Sequence, residues 1–390
     1  MTAGPIAIVL AGGTSRRFGS DKLRHRLGER TLLAEALSGL PADTEVIVVG
    51  PSPPEHPELR AVREEPAGGG PAAALVAGLR AALAAEFEAV LVLPGDAPQA
   101  GHAAAELLSR LRRSPGSDAV LAMDSQGREQ PLQLALRPAA ARALFRAAGE
   151  NAGSGASARL LVRTLTPPPL VHQLSGPATF DIDTPAQLHA WLLRESAAVD
   201  RILSAVREVS GSVRPVVVAL DGPSAAGKST LAAALALRTS AVVLPGDDFY
   251  SGDLSSISSA ERDGWTGAQV MAAVFDWARL REEALQPLSQ GGDAVYLPYD
   301  WTAGDGRLGR PRRLAGKPLV LLEGVYSARP ELADLIDLSV YVDTDLERRV
   351  SRDDARGDDP GWRRFWERGE QFYFDRVRPP ASFDLRVRPE

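Results

Sequence analysis

Gly222-Pro223-Ser224-Ala225-Ala226-Gly227-Lys228-Ser229-Thr230 matches the pattern G-x-x-x-x-G-K-[ST]. In that pattern a glycine-rich turn curls its backbone N–H groups around phosphate oxygens. The flanks supply the context the pattern needs. Val216-Val217-Val218-Ala219-Leu220 is an apolar, β-branched run that predicts a buried parallel strand. Leu231-Ala232-Ala233-Ala234-Leu235-Ala236-Leu237 consists of good helix formers. Strand, loop and helix in that order put a helix N-terminus, with its partial positive charge, behind the bound phosphates. In this arrangement Gly222 and Gly227 allow the turn, and Lys228 reaches the β- and γ-phosphates. The Ser229 hydroxyl, next to Thr230, binds Mg²⁺. An ordinary glycine-rich turn would not need both flanks.

The loop lies past the middle of a 390-residue chain. That length predicts two domains. A formal net charge of -6 argues against a nucleic-acid partner and against an anionic membrane surface. The chain has no cysteine, which excludes disulfides and thiolate metal sites. His25, His56, His102, His172 and His189 are scattered without metal-ligand spacing. No uninterrupted apolar run is long enough to span a bilayer. Met1 to Leu10 has no basic leader and runs straight into a glycine-rich turn, so it predicts a first strand and not a signal peptide. The expected location is the cytoplasm.

In the N-terminal half, Ile6-Ala7-Ile8-Val9-Leu10 predicts a short buried strand that opens into a loop from Ala11 to Lys22. Gly12 and Gly13 let the backbone approach a ligand, and Arg16, Arg17 and Lys22 bring three cations to the same loop. A loop of this kind at the carboxyl end of a strand suits a triphosphate, although a solvated basic turn has the same composition. Glu45 to Val49 predicts a second strand. Ala67-Gly68-Gly69-Gly70-Pro71 is a turn leading into a helix from Ala72 to about Ala85. A third strand, Ala89 to Leu93, ends in Pro94-Gly95-Asp96. Asp96 is placed either to hold Mg²⁺ beside phosphates or simply to bond its own turn.

Taken together, L-A-G-G-x-S-x-R-x-G-x-x-K over 10–22, the Gly-Gly-Gly-Pro turn and the Pro-Gly-Asp turn resemble nucleotidyltransferases that join NTPs to phosphorylated acceptors. With Gln130-Pro131-Leu132 and the segment from Phe180 to Leu188, residues 1 to about 193 resemble molybdenum cofactor guanylyltransferase. The resemblance implies transfer of GMP from GTP to molybdopterin, with release of pyrophosphate. It implies that Leu10, Gly12, Gly13 and Lys22 hold GTP, that Asp96 binds Mg²⁺ and that Glu65 faces the guanine. Asp183 becomes a second acidic group near the metal. The tail with Asp181 and Asp183 is also similar to the cytidylyltransferase branch, which leaves cytosine as the alternative base. The chemistry is consistent in itself. Two anionic reactants meet at the α-phosphorus, and Arg17, Lys22 and a metal on Asp96 would neutralise and align them.

Thr184-Pro185 reads as an N-cap followed by proline at the first helical position. Leu188, Trp191 and Leu192 follow at helical spacing, and Val199, Ile202, Leu203 and Val206 repeat the pattern. The first set is expected to close the N-terminal domain and the second to pack on the C-terminal one. The expected domains are residues 1–195 and 196–390.

After the P-loop, Ala241 to Leu244 predicts a strand that ends in Pro245-Gly246-Asp247-Asp248-Phe249-Tyr250. An acid there can take the proton of a substrate hydroxyl. Tyr296-Leu297-Pro298-Tyr299-Asp300-Trp301 offers aromatics for a base or for a core. Leu319-Val320-Leu321-Leu322-Glu323-Gly324 is a strand ending in an acid, and Arg348 to Gly357 is an arginine-rich run. In this order they resemble uridine kinase over roughly residues 212–388. The resemblance makes Asp247 the general base, puts Glu323 at Mg²⁺ and Tyr299 near the nucleoside, and makes Arg349, Arg352 and Arg356 a lid over the phosphates of ATP. Two departures stand out. The lid is one residue shorter between Asp353 and Arg356, and no histidine lies between Thr302 and Arg307.

The sequence therefore predicts two doubly wound, three-layer α/β domains. The first is a Rossmann-like nucleotidyltransferase using GTP and a molybdopterin-like acceptor. The second is a P-loop kinase using ATP and a nucleoside-like acceptor. The alternative for the second domain is a GTP-binding adaptor for molybdenum cofactor assembly, which would need no general base.

Overall fold

A computed structural model describes residues 3–389 apart from 13–17, 19–20, 125–126, 150–152, 175, 212–213, 253, 255–256, 304–305, 307 and 357–359; the side chains of 259, 353–356 and 360 are also outside the description. The chain forms two compact units, Met1–Leu188 and His189–Glu390. The division falls inside the helix Pro185–Leu193, ahead of the expected boundary after 195. The reason lies in Leu193, which is only 2% exposed and belongs to the same apolar core as Val199 and Ile202. Thr184 caps this helix as expected, its Oγ1 accepting from Gln187 N at 3.2 Å.

Among the described residues, the first unit is built on a sheet of seven strands. In chain order they are β1 (Ile6–Leu10), β2 (Glu45–Val49), β3 (Arg60–Val62), β4 (Val90–Pro94), β5 (Ala119–Met123), β6 (Glu129–Leu136) and β7 (Leu170–Gln173). Their spatial order is β3-β2-β1-β4-β6-β5-β7. β6 runs antiparallel to both of its neighbours, so the sheet is mixed and not wholly parallel. Both faces are covered, which is why the central strands read as continuous apolar runs. Ile6 and Ile8 share one core with Leu75 and Leu79 of α1 (Pro71–Ala82). Ala7 and Val9 share the opposite core with Leu107 and Leu111 of α2 (Ala100–Arg112). The parallel register aligns Leu10 with Val49 on one side and with Pro94 on the other. Gly12 and Asp96 therefore follow adjacent strands off the same end of the sheet.

The second unit is a five-stranded sheet around β8 (Val216–Asp221). With β9 (Val242–Pro245), β10 (Leu319–Glu323), β11 (Leu338–Val342) and β12 (Leu385–Val387), the order is β9-β10-β8-β11-β12. Every pair is parallel. Val218 and Leu220 pack with Leu231 and Leu235 of α3 (Lys228–Thr239). Val217 packs on the other face with Leu244, Phe249 and Leu322. Glu323 is level with Leu220 and with Pro245. The P-loop, Glu323 and Asp247 thus leave one sheet edge together, where ligands of open α/β sheets bind. The arginine-rich run forms α4 (Leu346–Arg356), and α5 (Pro360–Phe372) follows it.

Candidate functional site

Each unit carries a cluster of functional groups at the carboxyl end of its sheet. In the first, Lys22 Nζ donates to Asp96 Oδ2 and to Asp183 Oδ1, both at 2.6 Å. Burial works against the charge on Lys22. The hydrogen bonds to Asp183 and Asp96 outweigh it and hold the ammonium above its ordinary value. The backbone joins the same groups, because Ile182 N donates to Asp96 O at 2.9 Å. Near them is Asp181, whose carboxyl is pushed up to about 7 by burial and by the charges of Asp96 and Asp183. Leu10 O accepts from Gly95 N at 3.0 Å and ties the first loop to the Asp96 turn.

Gly12 is exposed at the mouth of that loop, and a Cβ added there would lie 3.8 Å from both carboxylate oxygens of Glu64. Glu65 is exposed. Glu64 is the acid that faces the loop, and sequence reasoning passed over it because its direction depends on the chain path after β3. Gly13 and Arg17 lie outside the described residues.

In the second unit the P-loop has the expected form. Gly222 has φ +146°, and a Cβ there would meet Val342 O at 2.4 Å. Gly227, at φ +97°, caps α3 in a left-handed conformation that suits glycine. Lys228 is 7% exposed and donates to Gly222 O and Pro223 O, each at 2.9 Å. Ser229 Oγ donates to Glu323 Oε2 at 3.0 Å. Burial and the charge of Asp247 push the Glu323 carboxyl up to about 7. Asp247 and Asp248 separate cleanly. Asp248 Oδ2 accepts from Tyr296 OH and from Arg312 Nη1, both at 2.6 Å. Asp247 instead lines the cavity beside the P-loop.

That cavity has a volume of about 770 Å³. Ser224, Ala225 and Gly227 to Thr230 line it, together with Asp247, Glu323, Tyr299, Arg349 and Arg352. Tyr299 packs edge to face on Trp301, with ring centroids 4.7 Å apart, and on Tyr250, at 4.9 Å. Arg352 Nη1 donates to Ala225 O at 3.0 Å, which ties the middle of the arginine run to the loop. The Arg356 side chain lies outside the described residues.

Two groups were not legible in the sequence. Glu370 on α5 accepts from Ser224 N at 3.0 Å and from the Ser224 hydroxyl. Asp221 is fully buried and accepts from Gly222 N at 2.7 Å, Tyr326 N and Ala328 N at 2.9 Å, and Tyr373 OH at 2.8 Å. The only hint of Asp221 was a charged residue directly at the end of an apolar run. Among the described residues no group of three or more His, Asp or Glu side chains is arranged to hold a metal by itself, and no helix is long and apolar enough to cross a membrane.

The two sites define a nucleotidyltransferase-type domain followed by a P-loop kinase-type domain. Residues 7–166 match the MobA-like NTP transferase domain, and residues 217–360 match the phosphoribulokinase / uridine kinase family. A uridine kinase of Shewanella amazonensis is 32% identical over 152 residues, which cover 36% of this chain and 69% of that one. A uridine kinase of Latilactobacillus sakei is 30% identical over 157 residues, covering 37% of this chain and 69% of that one. Among solved structures, a possible uridine kinase from Bacillus stearothermophilus aligns with 49% of this chain and 97% of its own, at 20% identity and TM-score 0.37. The molybdopterin-guanine dinucleotide biosynthesis protein A of Archaeoglobus fulgidus aligns with 47% of this chain and 94% of its own, at 20% identity and TM-score 0.36. The chain belongs to the phosphoribulokinase / uridine kinase family through its C-terminal half and carries a MobA-like NTP transferase domain in its N-terminal half.

Proposed function

We propose that the chain is a bifunctional enzyme. Its N-terminal domain transfers a nucleotidyl group from GTP to a phosphorylated acceptor such as molybdopterin. Its C-terminal domain transfers the γ-phosphoryl group of ATP to a nucleoside-like hydroxyl. One observation carries the kinase reading over the adaptor reading. Asp247 lines a cavity that is also lined by the P-loop and by the Tyr250, Tyr299 and Trp301 rings. An adaptor that only binds nucleotide has no use for a carboxylate between phosphates and an aromatic recess.

The donor sets fit Mg²⁺, because both are made of hard oxygens. Asp96 with Asp183 would hold it in the first site, and Ser229 with Glu323 in the second. Bound there, the ion would neutralise phosphate charge and align the reacting oxygens. The chain's own residues do the rest. Lys228 and the loop amides hold the β/γ-phosphates, and Asp247 takes the acceptor proton as the hydroxyl attacks. Arg349 and Arg352 cover the phosphates and exclude water. At the first site Lys22 moves from its carboxylate partners to the triphosphate, where it offsets the charge that develops on pyrophosphate. Asp183 is as well placed for a cytidylyl as for a guanylyl donor, so the base is set elsewhere, and Glu64 and Glu65 are the side chains to test.

The decisive experiment incubates purified protein and Mg²⁺ with ATP and a panel of nucleosides, and separately with GTP or CTP and molybdopterin. Nucleoside monophosphate and a molybdopterin dinucleotide are the expected products. If wild-type protein phosphorylates no nucleoside or other small hydroxyl, the kinase reading fails and the adaptor takes its place.

A further inference from the structure

The cavity over the P-loop is lined by groups of different chemistry. Tyr250, Tyr299 and Trp301 pack on one another, and Asp247 lines the same cavity. Beside the start of α3, Pro389 Cγ lies 3.4 Å, and Arg352 Nη1 3.6 Å, from where a Cβ on Gly227 would sit. His189 and Leu193 line the cavity with them. Both come from the last turns of the helix Pro185–Leu193, within the C-terminal compact unit. Both also precede, by more than twenty residues, the segment 217–360 that matches the kinase family. Pro389 lies beyond the other end of that segment. The segment that matches the kinase family does not contain these three residues, and the lining of the cavity does.

A donor triphosphate seated on the loop must point its γ-phosphate at Asp247 and the acceptor. Its nucleobase then extends away from Asp247, past the loop. We propose that His189, with Leu193 and Pro389, forms the surface against which the nucleobase of the phosphate donor lies. The inference rests on the reading of this cavity as a nucleoside triphosphate site. The materials suit a flat aromatic ring: an imidazole, a buried leucine side chain and a pyrrolidine. His189 keeps the character of a neutral ring, because burial and the nearby Arg352 guanidinium lower its pKa from the usual histidine value. A neutral imidazole can stack on a base and bond its edge. The phosphates have their own cations in Lys228 and the arginines, so His189 is not needed there.

The test separates base from phosphate. Binding of Mg-ATP and of Mg-tripolyphosphate is measured by titration calorimetry on the full chain and on its His189→Ala and His189→Phe variants. The signal read is the binding that a Lys228→Ala variant loses, which removes any contribution from the N-terminal domain. His189→Ala should weaken ATP binding about five- to tenfold, in the lower part of what base stacking on a side chain contributes. It should leave tripolyphosphate binding unchanged, and His189→Phe should restore ATP affinity. Unchanged ATP binding in His189→Ala overturns the proposal. So does an equal loss for both ligands, since that would mark a structural or phosphate role. If wild type binds tripolyphosphate through Lys228 but ATP no more tightly, the subsite falls and the phosphate site stands. Binding of neither ligand overturns both.

Discussion

Both sites place a lysine at the mouth of a glycine-rich turn that leaves a parallel strand, yet the two lysines are held in opposite ways. Lys228 is fastened by the carbonyls of Gly222 and Pro223, six and five residues away in the chain. Lys22 is fastened by Asp96 and Asp183, 74 and 161 residues away. The first is a local latch of neutral acceptors around a buried ammonium. The second is a long-range ion-pair cluster that stays partly in water, with the Asp183 side chain 50% exposed. A local latch is rebuilt by any chain with the same nine residues. A long-range clamp exists only once the sheet has brought three separate segments to one edge. The same contrast separates the adjacent acids of the second site, where Asp248 is committed to Tyr296 and Arg312 and Asp247 is presented to the cavity.

The largest effect is expected at Asp247. Asp247→Asn should lower phosphoryl transfer by about 10²–10⁴, the usual contribution of a general base. ATP affinity should barely change, and Asp248→Asn should cost far less in rate. Steady-state kinetics of both variants decide this, and equal losses would erase the distinction between the two acids. Next, Lys228→Ala should reduce the same reaction by about 10²–10³, as loss of one preorganised donor to developing charge does. Nucleotidyl transfer should proceed at the wild-type rate. Loss of both activities in one assay pair would indicate that the P-loop controls the first site and does no chemistry of its own.

Asp96→Asn should remove about 10²-fold of nucleotidyl transfer, if removing a metal ligand costs what an outer-shell partner does or slightly more. Its phosphoryl transfer should be untouched. A wild-type rate would reduce Asp96 to a turn residue. Asp183→Asn, at the half-exposed end of the Lys22 clamp, should cost less than Asp96→Asn, since exposed pairs contribute only about 0–1 kcal/mol. If the two substitutions cost the same, the clamp acts as a unit and the ranking by exposure is wrong.

The smallest effect is one of pH on stability, and it arises beneath the P-loop. Burial pushes Asp221 up to about 6 from an ordinary 3.8. A carboxyl whose pKa is raised by folding binds its proton more tightly in the folded state. The folded form is therefore favoured below the unfolded pKa. That contribution drains away as pH rises through the folded pKa and is flat above it. Asp221→Asn should remove this slope between pH 4 and 6 in denaturant titrations while lowering stability overall, because one amide oxygen cannot accept from all four donors. An unchanged slope would assign the pH dependence to other groups.

Much of this protein was legible in its residues. The apolar runs 6–10, 45–49, 216–220 and 319–323 became central strands, because a run buried on both faces has few other places to go. Periodicity and a capping threonine identified the helix Pro185–Leu193, but its last residue packs with the second core, which moved the compact boundary to 188. The antiparallel strand Glu129–Leu136 was not foreseen, since orientation is decided by the connections around a strand and not by its composition.

By itself the sequence determined the phosphate loop, the central strands 6–10, 45–49, 216–220 and 319–323, and the separate character of the two halves, because each of these follows from short-range geometry. Only the tertiary structure decided what faces what. The Lys22 clamp, the different surroundings of Asp247 and Asp248, the buried Asp221 under the loop and the place of His189 in the lining of the P-loop cavity all join residues from distant segments. Those pairings depend on strand register and on the direction in which each element enters the sheet edge. A side chain's partner across the fold has no local signature in the chain.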